Sequence, residues 1–134
     1  MLDLRVHHVS IVVTDLERSV AFYQRAFGLE RLTRPPFKTE GAWLVCHGIQ
    51  IHLILYPQGT FRAAATIDNN DAHFSFHTRD FYGILDHLLA EGFREDAEEG
   101  DPMRLFVIRE GLAGFPQLYL LDPDRNIVEI NGAP

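Results

Sequence analysis

Cysteine is almost missing from this chain: Cys46 stands alone among 134 residues. A single thiol excludes an internal disulfide and fits a reducing compartment. Basic charge is also short, with twelve Lys and Arg against nineteen Asp and Glu and a formal charge of −7. That balance excludes a binder of nucleic-acid phosphates, which needs a basic stripe. Long apolar runs are absent as well. Val9 and Ile11–Val13 fall far short of a membrane span. Asp3 and Arg5 interrupt the N-terminus, which does not read as a secretory signal. The expectation is a soluble, cytoplasmic globular domain. Against these shortages stands one surplus, seven histidines, a choice of nitrogen over sulfur.

Residues 5–13 are rich in β-branched residues and predict a strand. Thr14 and Glu17 have the spacing of a capping box. Leu16, Val20, Phe22, Tyr23, Ala26 and Phe27 then recur at helical spacing until Gly28. Strand-like runs follow at 29–33, 42–46 and 49–55, punctuated by Pro35-Pro36 and His47-Gly48. The order is βαβββ.

The same order returns. Residues 72–78 predict a strand, and Asp80 opens a helix carrying Phe81, Ile84, Leu85, Leu88 and Leu89 up to Gly92. Further strand-like runs lie near 93–97, 104–109, 116–121 and 127–130. His8 aligns with His73, Ser10 with Ser75 and Asp15 with Asp80, each 65 residues on. Gly28 meets Gly92, and His52 falls opposite Glu129. One domain over 1–134 therefore reads as a duplication: module one at 4–56, a linker at 57–71, and module two at 72–131.

Alternation along the strands points to a site. Val9, Ile11 and Val13 share one face, as do Ile51, Leu53 and Leu55, Phe74 and Phe76, and Val128 and Ile130. These apolar faces suit packing under the two helices. The opposite faces carry His8, His52, His73 and Glu129 among small or polar neighbours. A half-open curved sheet with its helices outside would gather three imidazoles and a carboxylate in one cavity. Imidazole nitrogen with carboxylate oxygen suits one divalent ion (Zn, Ni, Fe(II), Mn or Co), with none of the thiolates of a structural zinc site. His77 shares the cavity face and is expected either behind the ligands or as a hydrogen-bonded strand end. His7, His47 and His87 read as surface or turn residues.

His8 with Asp15 seven residues on, followed by Phe22-Tyr23 and Gly28-Leu29, resembles the vicinal oxygen chelate superfamily. His73 with Asp80, and the ending from Tyr119 through Asp122-Pro123-Asp124 to Glu129, resemble it again. This resemblance implies an α+β fold of paired βαβββ modules around a divalent metal. It implies ligands at His8, His73 and Glu129, with His52 as a fourth ligand or a base. Glyoxalases of the family carry Arg and Asn for glutathione where this chain has Val12 and Tyr56. Extradiol dioxygenases carry ligands, base and tyrosine in the order His8, His52, His73, Tyr119, Glu129, with a further His that the stretch 110–118 lacks. Arg125 stands where the family ending has Gly, a change expected to cost local stability more than chemistry.

These readings imply a metal-dependent lyase or isomerase of the glyoxalase type, in which Glu129 or His52 moves a proton. A ring-cleaving dioxygenase, with His52 as base and Tyr119 orienting a catechol, is the second reading. A drug- or metabolite-binding resistance protein without turnover is the third. The expected partner is a small molecule, with neither nucleic acid nor membrane. Phe37, Trp43 and Tyr119 are candidate apolar walls for it, His77 a further candidate contact, and Arg104 or Arg109 a candidate carboxylate clamp. The modules either close a cavity within one chain or exchange between the chains of a homodimer.

Overall fold

The structure is a computed structural model that describes residues 1–62 and 64–134. The chain divides into two units, Met1–Phe61 and Arg62–Pro134. The first holds β1 (His8–Val13), α1 (Leu16–Phe27), β2 (Glu30–Leu32), β3 (Gly41–Cys46) and β4 (Ile49–Leu55). The second holds β5 (His73–His77), α2 (Phe81–Ala90), β6 (Phe106–Ile108), β7 (Gln117–Leu121) and β8 (Ile127–Asn131). Each unit is thus βαβββ, as the internal repeat predicts.

The two sheets share one topology. Their strand orders are β1-β4-β3-β2 and β5-β8-β7-β6. In each, the first strand lies parallel to the last and the other pairs run antiparallel. A parallel partner cannot be reached by a hairpin, and the helix supplies the crossover. Both sheets are open, α+β in class, and neither is a closed barrel.

In the first unit Val13, Ala42, Leu44, Ile51 and Leu53 are buried on one sheet face. Helix α1 packs over β3 and β4 with Val20, Phe22, Tyr23 and Ala26 buried. Truncating a core leucine such as Leu53 to alanine would cost about 2–5 kcal/mol. In the second unit Leu118, Leu120, Val128 and Ile130 form the matching row, while α2 buries Phe81, Leu85 and Leu88. Leu89, counted with the apolar stripe of α2, is instead exposed. The opposite face of this second sheet is less polar than alternation alone suggests. Tyr119, Leu121 and Ile127 are buried there with Ile67, Phe106 and Ile108 packed against them.

Three local expectations change. Residues 5–7 stay outside the strand, which begins at His8. The helix α1 is capped by Asp15, whose Oδ1 accepts the Arg18 N–H at 3.1 Å. Thr14 and Glu17 do not close a capping box: Thr14 accepts from the Arg18 guanidinium, and both Glu17 oxygens meet Arg31 at 3.1 Å. The run at 93–97 forms one isolated bridge, Arg94 with Arg104, so three strands and not four follow α2. Other signals hold. Asp80 caps α2 through the Gly83 N–H, and Gly28 closes α1 at φ 66°. His47 and Gly48, at φ 45° and 84°, join Cys46 to Ile49 in a two-residue hairpin loop, the doubly left-handed form that matches strand twist.

Candidate functional site

In the first unit, strand register builds a stack of rings. Trp43 and Ser10 flank His52 in one row across the sheet. His8 pairs with Gln50, one step back along the same face, and reaches His52 on the diagonal. The His8 and His52 rings stack at 4.1 Å and 12°, and Trp43 stacks on the other side of His52 at 4.4 Å and 6°. Phe37 tilts against Trp43 at 6.0 Å, and the Arg34 guanidinium sits 4.9 Å from the Phe37 ring centre. His52 is buried, and its Nε2 lies 2.7 Å from Gln50 Oε1. With the amide oxygen accepting, Nε2 carries the proton and Nδ1 keeps the lone pair. Burial, then repulsion from His8, His7 and Arg34, holds His52 below the ordinary imidazole range. It is a neutral base at neutral pH.

His7 is exposed outside β1, as expected of a surface residue, and it touches its neighbour. Its Nδ1 lies 2.9 Å from His8 Nδ1, a contact that leaves His8 Nε2 open. Its sequence signal was only adjacency to a site residue.

The second unit repeats the diagonal with different chemistry. Ser75, Glu129, Tyr119 and Phe106 form one row across β5, β8, β7 and β6. His73 pairs with Ile127 and reaches diagonally to Glu129, its Nε2 standing 3.1 Å from Oε2. His73 Nδ1 lies 2.7 Å from the Asp71 carbonyl oxygen. A carbonyl only accepts, so Nδ1 is the donor there. In the neutral ring the Nε2 lone pair therefore faces a carboxylate oxygen, acceptor against acceptor. Only a shared proton or a cation reconciles that pair, and the donor set is one that divalent metals accept.

Glu129 itself is buried and held from behind. Its Oε1 accepts from Gln117 Nε2 at 2.8 Å, and the same amide lies 3.3 Å from the Tyr119 hydroxyl. Tyr119 packs edge-on to His73 at 5.6 Å and tilts against Phe106 at 6.0 Å. Burial and the Glu129 carboxylate push the Tyr119 phenol up, against an opposing hydrogen bond with Asn69. It stays protonated and can donate. Gln117 escaped the sequence reading, although alternation along β7 puts it on the face of Tyr119.

The expected ligands thus fall as two pairs, His8 with His52 and His73 with Glu129, at equivalent diagonals of two equivalent sheets. Within neither unit, among the described residues, do three or more His, Cys, Asp or Glu side chains gather to hold a metal ion. The remaining candidates divide. Trp43 and Phe37 belong to the ring stack. His77 is exposed at the end of β5. Arg109 is engaged by both Glu95 oxygens at 2.7 and 2.8 Å, so it is no free carboxylate clamp. Arg104 donates to the Ala97 carbonyl and lines a cavity with Phe106.

The sequence model of the Glyoxalase/Bleomycin resistance protein/Dioxygenase superfamily matches residues 5–130. Glyoxylase I 4 of Arabidopsis thaliana is 32% identical over 127 residues, covering 93% of this chain and 68% of its own. The crystal structure of a putative glyoxalase family protein from Bacillus anthracis superposes with a TM-score of 0.75 at 20% identity, covering 98% of this chain and 96% of that one. FosX, a fosfomycin resistance protein of Listeria monocytogenes whose mutant was solved with Mn(II) and a dihydroxypropylphosphonic acid, superposes at 0.70 and 16% identity. That match covers 100% of this chain and 95% of FosX. Two βαβββ units of one topology and a family match along almost the whole length agree. The chain belongs to the glyoxalase/bleomycin resistance protein/dioxygenase superfamily.

Proposed function

We propose that the protein is a divalent-metal-dependent lyase or isomerase of the glyoxalase type, acting on a small substrate that presents two neighbouring oxygens. The observation that carries this reading is the His73–Glu129 pair, a nitrogen and a carboxylate oxygen held 3.1 Å apart by the Asp71 carbonyl and the Gln117 amide, a donor set that divalent metals accept. His8, His73 and Glu129 are the proposed metal ligands. His52, held below the ordinary imidazole range by burial and then by repulsion from His8, His7 and Arg34, is assigned as the base before the fourth ligand. A bound divalent ion supplies Lewis-acid stabilisation of negative charge on substrate oxygens.

The chain's own groups do the rest. His52 or Glu129 takes the proton from a carbon next to those oxygens and returns it. Tyr119, held protonated, donates to a substrate oxygen and orients it. The ring stack of Trp43 and Phe37 forms an apolar wall for the substrate body. The Arabidopsis relative named Glyoxylase I 4 and the Mn(II) complex of FosX support this reading. Tyr56 stacks on Phe61 at 5.2 Å where a glutathione-binding amide would be expected, so the thiol partner need not be glutathione.

The test is a calorimetric titration of metal-depleted protein with Zn²⁺, Ni²⁺, Co²⁺ and Mn²⁺, followed by turnover of methylglyoxal adducts of several thiols. Micromolar or tighter binding is expected, weakened more than tenfold in His73→Ala and Glu129→Gln, and about tenfold in Gln117→Leu. Iron in the purified protein, with ring cleavage of a catechol under air, would replace the lyase with the dioxygenase. The Tyr119 hydroxyl beside Glu129 favours that second reading. Failure to bind any divalent ion would remove both enzymes and leave a small-molecule binding protein.

A further inference from the structure

A cavity of about 290 Å³ opens in the second unit, between the segment around 66–69 and the stretch 99–106. Its size is at the lower end for small-molecule pockets, room for a fragment of amino-acid size. Ile67 and Phe106 give it an apolar side. Arg104, Asp68 and Glu99 give it charge of both signs. The Arg104 guanidinium donates to the Ala97 carbonyl and, among the described residues, has no carboxylate partner. Asp68 commits Oδ1 to the Asn70 amides, leaving Oδ2 uncommitted. Glu99 is exposed and carries no ion pair among the described residues.

These charges select among ligands. One cation and two carboxylates give the lining a net charge of −1, so a simple anion meets more repulsion than attraction. A simple organic cation faces an uncompensated guanidinium. A zwitterion satisfies both. We infer that this cavity binds the α-amino-acid group of a small ligand, with its carboxylate on Arg104, its ammonium toward Asp68 and Glu99, and its aliphatic part against Ile67 and Phe106. The wall also meets the candidate site: Phe106 packs on Tyr119, and Asn69 lines the cavity while hydrogen-bonding Tyr119. The site needs no metal, so it stands or falls apart from the reaction proposed above.

Binding of L-valine, isovalerate and isobutylamine to the full chain, in the absence of metal, tests it. The three probes share an aliphatic body and differ in which charges they carry. Calorimetry and ligand-observed saturation-transfer NMR are expected to show L-valine binding at least about tenfold more tightly than either single-charge analogue, since each charged contact contributes roughly that factor. Arg104→Gln should remove the preference over isobutylamine, and Glu99→Gln should weaken L-valine severalfold. Glu99 has no partner to lose on folding, so that variant keeps the test valid if Arg104→Gln does not fold. Equal binding of all three probes, no binding of L-valine at millimolar concentration, or L-valine binding unchanged in Glu99→Gln with Arg104→Gln folded and equally indifferent, would overturn the inference.

Discussion

Arg125 sits at φ 65°, in the left-handed region, at the turn between β7 and β8. Its Cβ crowds the following carbonyl there, a cost of about 1–2 kcal/mol for a residue other than glycine. The turn tolerates it because the backbone is held on both sides. The Arg125 N–H donates to the Asp122 carbonyl at 2.9 Å, and its own carbonyl accepts from Arg62 at 3.0 Å. Arg125→Gly should therefore stabilise the protein by up to about 1 kcal/mol, after the larger chain entropy of unfolded glycine is subtracted. Thermal unfolding should show a rise of a few degrees, with no gain in Arg125→Ala. A fall in melting temperature would mean that the exposed side chain matters more than its backbone. His8, His52 and His73 were legible at this scale because each differs chemically from the apolar residues of its strand. Gln117, His7 and the Asp71 carbonyl were not, since their importance comes from which atoms lie opposite them.

Among the elements, the entry to α1 separates two cap assignments. Sequence spacing favours Thr14 with Glu17, whereas the structure puts Asp15 at the cap and turns Glu17 toward Arg31 on β2. Asp15→Ala should cost about 1 kcal/mol in urea unfolding and Thr14→Ala less than half of that. The reverse ranking would restore the capping box. The equivalent residue of the second unit, Asp80, caps α2 through Gly83, so the cap at the Asp position is itself a duplicated feature. Alternation along strands was the most legible property. It put His52 and Trp43 on one face and Leu53 and Ala42 on the other, as the β3–β4 register bears out. It misjudged the face of β7 and β8 around Glu129, where Leu121 and Ile127 are buried too. A strand buried on both sides carries no polar alternation to read.

For the whole molecule, the response of stability to acid includes His52 of the first unit and two carboxylates that the second unit holds ionised. The Ala72 N–H, then the Arg62 guanidinium, draws Asp71 below the usual carboxylate range, and Arg109 does the same for Glu95. A carboxyl whose folded pKa is depressed contributes stability above its unfolded value, and loses it as pH falls through the folded one. Stability should therefore begin to fall below about pH 6.5, where the unfolded chain protonates His52 and the folded one resists it, and should decline further below about pH 4.5 as the two carboxylates are protonated. In Arg109→Gln the neutral-pH stability should drop slightly, this pair being largely exposed. The gap to the parent should close once Glu95 is protonated in both. A gap that persists in acid, measured by urea unfolding from pH 7 to 3, would show that Arg109 acts through packing.

What the sequence determined by itself is local or periodic: the helix stop at Gly28, the His47-Gly48 hairpin, the duplicated βαβββ order and the strand faces that bear His8, His52, His73 and Glu129. Each rests on the preference of one residue or on the two-residue repeat of a strand. The tertiary structure decided which of those groups touch. Parallel pairing of β1 with β4 and of β5 with β8 set the diagonals that stack His8 on His52 and turn His73 toward Glu129. Register between the neighbouring strands β7 and β8 brought Gln117 to Glu129, and the turn entering β5 aimed the Asp71 carbonyl at His73. The diagonals join residues far apart in the chain, His73 and Glu129 being 56 positions apart, and no local preference encodes them.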